Sequence, residues 1–126
     1  MLIKDIARIC HEANRAYCAT LGDLSQPTWN HAPEWQQKSA ISGVVFVLDN
    51  PFAHPSENHE NWLKQKAAEG WKFGKVKNPE TKEHPCMIPW NDLPPEQQAK
   101  DGLFRAIVNV FRTLLDVPPG NHRPSA

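Results

Sequence analysis

Six histidines and three cysteines carry most of the catalytic or metal chemistry open to this 126-residue chain. His84 and Cys86 form an H-x-C pair. In extended chain, side chains two apart point to the same side, so the pair could act together. A zinc site needs three or four ligands at recognisable spacing, and neither C-x-x-C nor H-x-x-x-H occurs. His54 and His59 are five residues apart with Pro55 between them, so they do not share a helix face. A Cys nucleophile with a His base could be drawn from His84/Cys86 or Cys10/His11, yet no Gly-rich oxyanion loop or elbow motif accompanies either pair. The plainer reading makes Cys86 a small packing residue and Cys10 part of a helix core.

Phosphate-binding loops of the G-x-x-x-x-G-K or G-x-G-x-x-G type are absent from the sequence. A nucleotide can still be held by aromatic stacking with cationic side chains at its phosphates. Trp62, Trp71 and Trp90 lie close together in the second half, interleaved with Lys72, Lys75, Lys77 and Lys82. The plainer alternative is that these Trp are core and the lysines a solvated rim. A second polar group is His11, Asn14 and Arg15. At about 100° per residue these fall on one patch of a helix, able to hold a ligand or tether a neighbouring loop.

The elements that must position these residues are predominantly helical. Ile3, Ile6, Ala7, Cys10, Ala13, Tyr17 and Leu21 recur at helical steps, predicting a helix over 2–21 stopped by Gly22-Asp23. Turn residues mark 23–32 as a loop. Pro33 suits a first helical position, and a second helix is expected to about Leu48 although Val44–Leu48 would also suit a strand. After the linker 51–55, Ser56 is a good N-cap for a third helix that ends at Gly70. Trp71–Val76 and His84–Trp90 read as short extended pieces around a turn at 78–82, the second kept from a sheet interior by its prolines. Pro94-Pro95 open a last helix with Leu103, Phe104, Ile107, Val108, Phe111, Leu114 and Leu115 on one stripe, ending before Pro118.

Composition narrows the function classes. There are 14 basic and 14 acidic side chains, a formal net charge of zero, which argues against a nucleic-acid or polybasic membrane partner. No apolar run approaches the ~20 residues that span a bilayer. The N-terminal residues are amphipathic, unlike a secretory signal, and an odd, small number of cysteines suits a reducing cytoplasm. Twelve prolines in 126 residues, nearly twice the usual ~5%, imply rigid connectors between short elements.

The segment from Ser56 to about Leu115 resembles the RyR domain, the repeat first described in ryanodine receptors and found also as small bacterial and phage proteins. His59-Glu60-Asn61-Trp62, Gly70-Trp71-Lys72-Phe73-Gly74, Val76, His84-Pro85-Cys86, Pro89-Trp90 and Leu93-Pro94 carry the match, in the family's order and spacing. Residues 1–55 look like the helical extension of stand-alone prokaryotic members. Trp90 stands where Tyr or Phe is more usual. The resemblance implies a mainly α domain of about four helices with a minimal β-hairpin, over residues 1–117, followed by a disordered tail, 118–126. Because receptor repeats pack in tandem about a pseudo-two-fold axis, a single-copy chain could form a homodimer. It also implies a non-enzymatic module for an adenine-nucleotide-like ligand, and the residues themselves give no reason to expect a cofactor or metal. Candidate ligand-binding residues are then Trp62, Trp71, Trp90, Lys72, Lys77, His84, His11, Asn14 and Arg15. The competing expectations are a protein–protein accessory module and, more remotely, an enzyme built on His84/Cys86 or His11.

Overall fold

The first helix, α1 (Ile3–Thr20), begins where the Asp5 carboxylate accepts the Leu2 amide N–H at 2.8 Å. It ends at Gly22, whose φ of +86° is the left-handed conformation glycine adopts without cost. There the Asp23 and Gly22 amides donate to the Cys18 and Ala19 carbonyls, closing a Schellman cap. Three helices follow: α2 (Glu34–Asp49), α3 (Pro55–Ala68) and α4 (Pro95–Leu115). Two strands, β1 (Lys72–Phe73) and β2 (Glu83–His84), and single 3-10 turns at Trp29–His31 and Trp90–Asp92 complete the order in this computed structural model, which describes residues 2–115. The expectation of a mainly α chain with four helices and a minimal β element holds. The expected tail, 118–126, lies outside the described residues, as does the Leu115 side chain.

The chain divides into two units, one comprising Met1–Ala53 and Gly102–Ala126, the other His54–Asp101. In the first unit, the predicted stripe of α1 is buried through Ile6, Ala7 and Cys10. They join Trp29, Val44, Val47 and Leu48 of α2, and Val108 of α4, in one apolar core. The loop expected over 23–32 is anchored by the polar side of α1. His11 Nε2–H donates to the Pro27 carbonyl at 2.7 Å, and the Glu12 carboxylate accepts the Trp29 amide at 3.0 Å. Gln37 of α2 donates to the Trp29 carbonyl. These bonds let a buried indole sit in a loop without orphaned backbone groups. The stripe predicted for α4 stops short: Leu114 is 72% exposed.

In the second unit, the helix start differs from expectation. His54, not Ser56, is the N-cap of α3, with Pro55 in the first turn. Its Nδ1 accepts the Ser56 amide at 3.0 Å, and Glu57 accepts the His54 amide at 3.0 Å. An imidazole nitrogen here performs the task usual for a hydroxyl or carboxylate. At the other end Gly70 (φ +93°) closes a second Schellman cap, with Trp71 donating to the Lys66 carbonyl at 2.9 Å. β1 and β2 pair in parallel, Lys72 with Glu83 and Phe73 with His84, while an antiparallel bridge between Asn78 and Glu83 makes the return. Lys82 holds this turn in the left-handed region (φ 56°), and its Nζ donates to the Glu69 carbonyl at 2.7 Å.

Gly74 is buried beside this sheet. A Cβ built there would lie 2.5 Å from Glu83 Cβ, nearer than two carbons can approach. The contact is with the root of a strand side chain, which cannot swing away. Gly74→Ala is therefore expected to lower stability by about 1–3 kcal/mol, the usual cost of overpacking. Thermal unfolding checks it; a melting temperature equal to the parent's would contradict the steric account of this glycine.

Candidate functional site

The Schellman cap of α3 determines what lies at the centre of the second unit. In such a cap the residue two past the helix cap contacts the residue three before it. Here those residues are Trp71 and Lys66, and the Lys66 ammonium lies 5.9 Å from the indole centroid. Lys66 is only 2% exposed, with its Nζ 3.3 Å from the Glu69 carboxylate. His59, Trp62 and Lys66 fall at three- and four-residue steps on α3, so the helix presents them as one face.

Ring contacts extend this face. His59 stacks on Trp62 with centroids 5.5 Å apart and planes at 23°. Trp62 meets His84 edge-on at 5.1 Å, and Trp71 meets it at 6.3 Å. At the first residue of the second 3-10 turn, Trp90, the His54 ring makes an edge-on contact at 5.1 Å. His59 is buried, and its Nε2–H donates to the Ile88 carbonyl at 2.7 Å, tying α3 to the segment that leads into Trp90. Gln98 of α4 donates to the Trp90 carbonyl at 2.9 Å.

The expected extended H-x-C pair is corrected. The chain turns at Pro85-Cys86, closed by the Met87 amide donating to the His84 carbonyl. The Cys86 amide donates to His84 Nδ1 at 2.9 Å, and the Cys86 thiol donates to Gln97 Oε1 at 3.7 Å. Pro85 fixes the bend that brings the amide under the ring. Because Nδ1 accepts, the His84 proton resides on Nε2. Burial pushes the His84 pKa down to about 4, helped by the charges of Lys77, Lys100, His59 and Lys66. The ring is therefore a neutral donor at ordinary pH. In the first unit, burial pushes the Cys10 thiol up to about 12, which holds it protonated and unreactive beside His11.

Asp101, in the second turn of α4, completes the group. Burial raises its carboxyl to about 6, against the opposing pull of His59, the Trp90 indole and Lys100. The Trp90 Nε1–H faces this carboxyl but stops short of a formed hydrogen bond, leaving a buried donor unpaired.

Of the residues singled out in the sequence, Trp62, Trp71 and His84 come into ring contact, and the charge of Lys77 reaches His84. Trp62 and Trp90 are half-buried, whereas Trp71 at 7% exposure is a packing residue that supports Lys66 and His84. Lys72 stands exposed on β1. His11, Asn14 and Arg15 belong to the first unit, where His11 is committed to the Pro27 loop and Arg15 lies 3.9 Å from Glu12. His59, Lys66, Lys100 and Asp101 were not among the candidates. The helical spacing of His59, Trp62 and Lys66 is the signal that points to the first two. Among the described residues no three His, Cys, Asp or Glu side chains are grouped to hold a metal ion, and no helix is long and apolar enough to cross a membrane.

The residues that build this cluster all lie within the span matched by the RyR domain, residues 48–117. That span begins earlier than the resemblance from Ser56 and takes in more than half of the chain. The two motif glycines now have physical reasons: Gly70 for its left-handed cap, Gly74 for its closeness to Glu83. The protein belongs to the RyR domain family.

Proposed function

We propose that this RyR domain is a non-catalytic module that binds a small nucleotide-like ligand, of the adenine-nucleotide class, at the His/Trp cluster of its second unit. One observation carries the reading: the half-buried Trp62 ring touches His84, on which Lys77 and Lys100 act, and the half-buried Trp90 reaches the same Lys100 through Asp101. Indole faces stack a base, and ammonium groups answer phosphate charge. A role without catalysis is supported by His84, whose Nδ1 is taken by a backbone amide and whose low pKa makes it a poor base. Acting in the cytoplasm, such a module would sense or sequester a nucleotide signal, for instance in a phage or prophage setting.

Calorimetric titration with ATP, ADP-ribose and cyclic nucleotides tests this. Saturable heat with at least one of them is expected; no heat and no thermal shift at millimolar ligand would overturn it. A second reading, a homodimer or protein-facing accessory module, is favoured by Phe73 and Val76, which leave large apolar side chains exposed beside β1. Light scattering on the purified protein tests it, with a strict monomer counting against it.

A further inference from the structure

We infer that the second unit carries a phosphate subsite at His84, in which the ring Nε2–H donates to a phosphoryl oxygen and Lys77 and Lys100 balance the charge. This deepens the ligand-binding reading of the cluster and rests on it. Three features of the fold converge on this atom. The Cys86 amide fixes the tautomer, so Nε2 is a donor and never a competing acceptor. An edge contact with Trp62 and a tilted one with Trp71 hold the ring in one orientation, so little freedom is lost when it donates. The lysine charges that act on the ring come from three places: Lys77 just before the turn, Lys100 on α4, and Lys66 on α3, the last already paired with Glu69 at 3.3 Å.

The nearest acidic side chain in sequence does not spoil the field. Glu83 precedes His84 on β2, and neighbours along a strand face opposite ways. Its carboxylate accepts the Thr81 hydroxyl at 2.6 Å, within the 78–83 turn. Asp101 lies in the field of Lys100 and His59; with its carboxyl raised to about 6 it is protonated below that value and shares the Lys100 charge above it, so the subsite is strongest below about pH 6. A neutral N–H donor inside a cationic field favours an anion with spare lone pairs. A phosphoryl group fits both requirements, whether borne by a nucleotide or free as inorganic phosphate or pyrophosphate.

The test uses the whole protein and three probes: adenosine, ADP and inorganic pyrophosphate. Binding is followed by calorimetry and by the ring resonances of His84 in nitrogen–proton correlation spectra. Pyrophosphate is expected to move the Nε2 resonance and to raise the His84 titration from about 4 toward its ordinary 6.5, because a bound anion favours the protonated ring. Lys77→Ala and Lys100→Ala are each expected to weaken pyrophosphate and ADP binding about fivefold, the upper range for an exposed charge pair, while adenosine binding stays unchanged. Lys75→Ala, an exposed lysine outside this set, serves as the control and is expected to leave all three unchanged. ADP binding that is equal in the parent and both variants, with the His84 resonance unmoved, would overturn the phosphate subsite while leaving the ligand-binding reading intact. An equal loss in the Lys75→Ala control would also overturn it, by showing a diffuse effect of charge. Failure of all three probes to bind the parent would overturn both.

Discussion

An Asp101→Asn protein is expected to be more stable than its parent above pH 6, by roughly 2–3 kcal/mol, and to lose that advantage on acidification. Burial raises the Asp101 carboxyl from 3.8 to about 6, so the folded state holds this proton more tightly than the unfolded chain does. Stability from this group is full below 3.8 and is lost as pH rises through about 6. His84 acts in the opposite sense. The unfolded chain takes up its proton from 6.5 downward and the folded protein only near 4, so stability falls as pH drops between those values. That loss is also of order 3 kcal/mol. In the parent the two slopes oppose each other, and stability between about pH 4 and 6 is expected to be nearly flat. Asparagine removes one slope and leaves the other. Urea unfolding across this range, parent against Asp101→Asn, reads the effect directly. Parallel profiles would contradict the raised Asp101 carboxyl, and a flat Asp101→Asn profile would contradict the lowered His84.

His59→Ala is expected to cost about 2–4 kcal/mol. The imidazole is buried and does two jobs at once. Its Nε2–H satisfies the Ile88 carbonyl at 2.7 Å, and its ring covers Trp62 at 5.5 Å. Truncation leaves a carbonyl without its donor and a gap against the indole. His59→Gln retains an N–H able to reach Ile88 and is expected to recover part of the loss. Chemical denaturation monitored by tryptophan fluorescence separates the three proteins. A His59→Ala midpoint within about 0.5 kcal/mol of the parent, as for an ordinary surface change, would contradict this role.

How far these features were legible in the sequence depends on the distance over which each is decided. The stripe of α1 and the stops at Gly22 and Gly70 are local, and they read correctly from period and from the demand for a left-handed residue. Trp29 was not legible as core, because three side chains from two helices neutralise the backbone around it. The N-cap went to His54 because Pro55 suits the first helical position, which places the cap two residues earlier than a hydroxyl at Ser56 would. On α3, the step from His59 to Trp62 to Lys66 was visible as a face. Its burial was not, since a lysine so enclosed depends on Trp71, which the glycine cap swings back over it. Lys100 and Asp101 enter only because the first turns of α4 approach the 84–90 segment, a long-range event that no local pattern encodes.

The central claim is that the His/Trp cluster of the second unit receives a nucleotide-like ligand. The most direct measurement is a nitrogen–proton correlation spectrum of the whole protein during titration with ATP and ADP-ribose, read at the five indole N–H signals. The account predicts saturable movement of the Trp62 and Trp90 signals, with those of Trp29 and Trp35 unchanged. Unmoved Trp62 and Trp90 signals at millimolar ligand would contradict it.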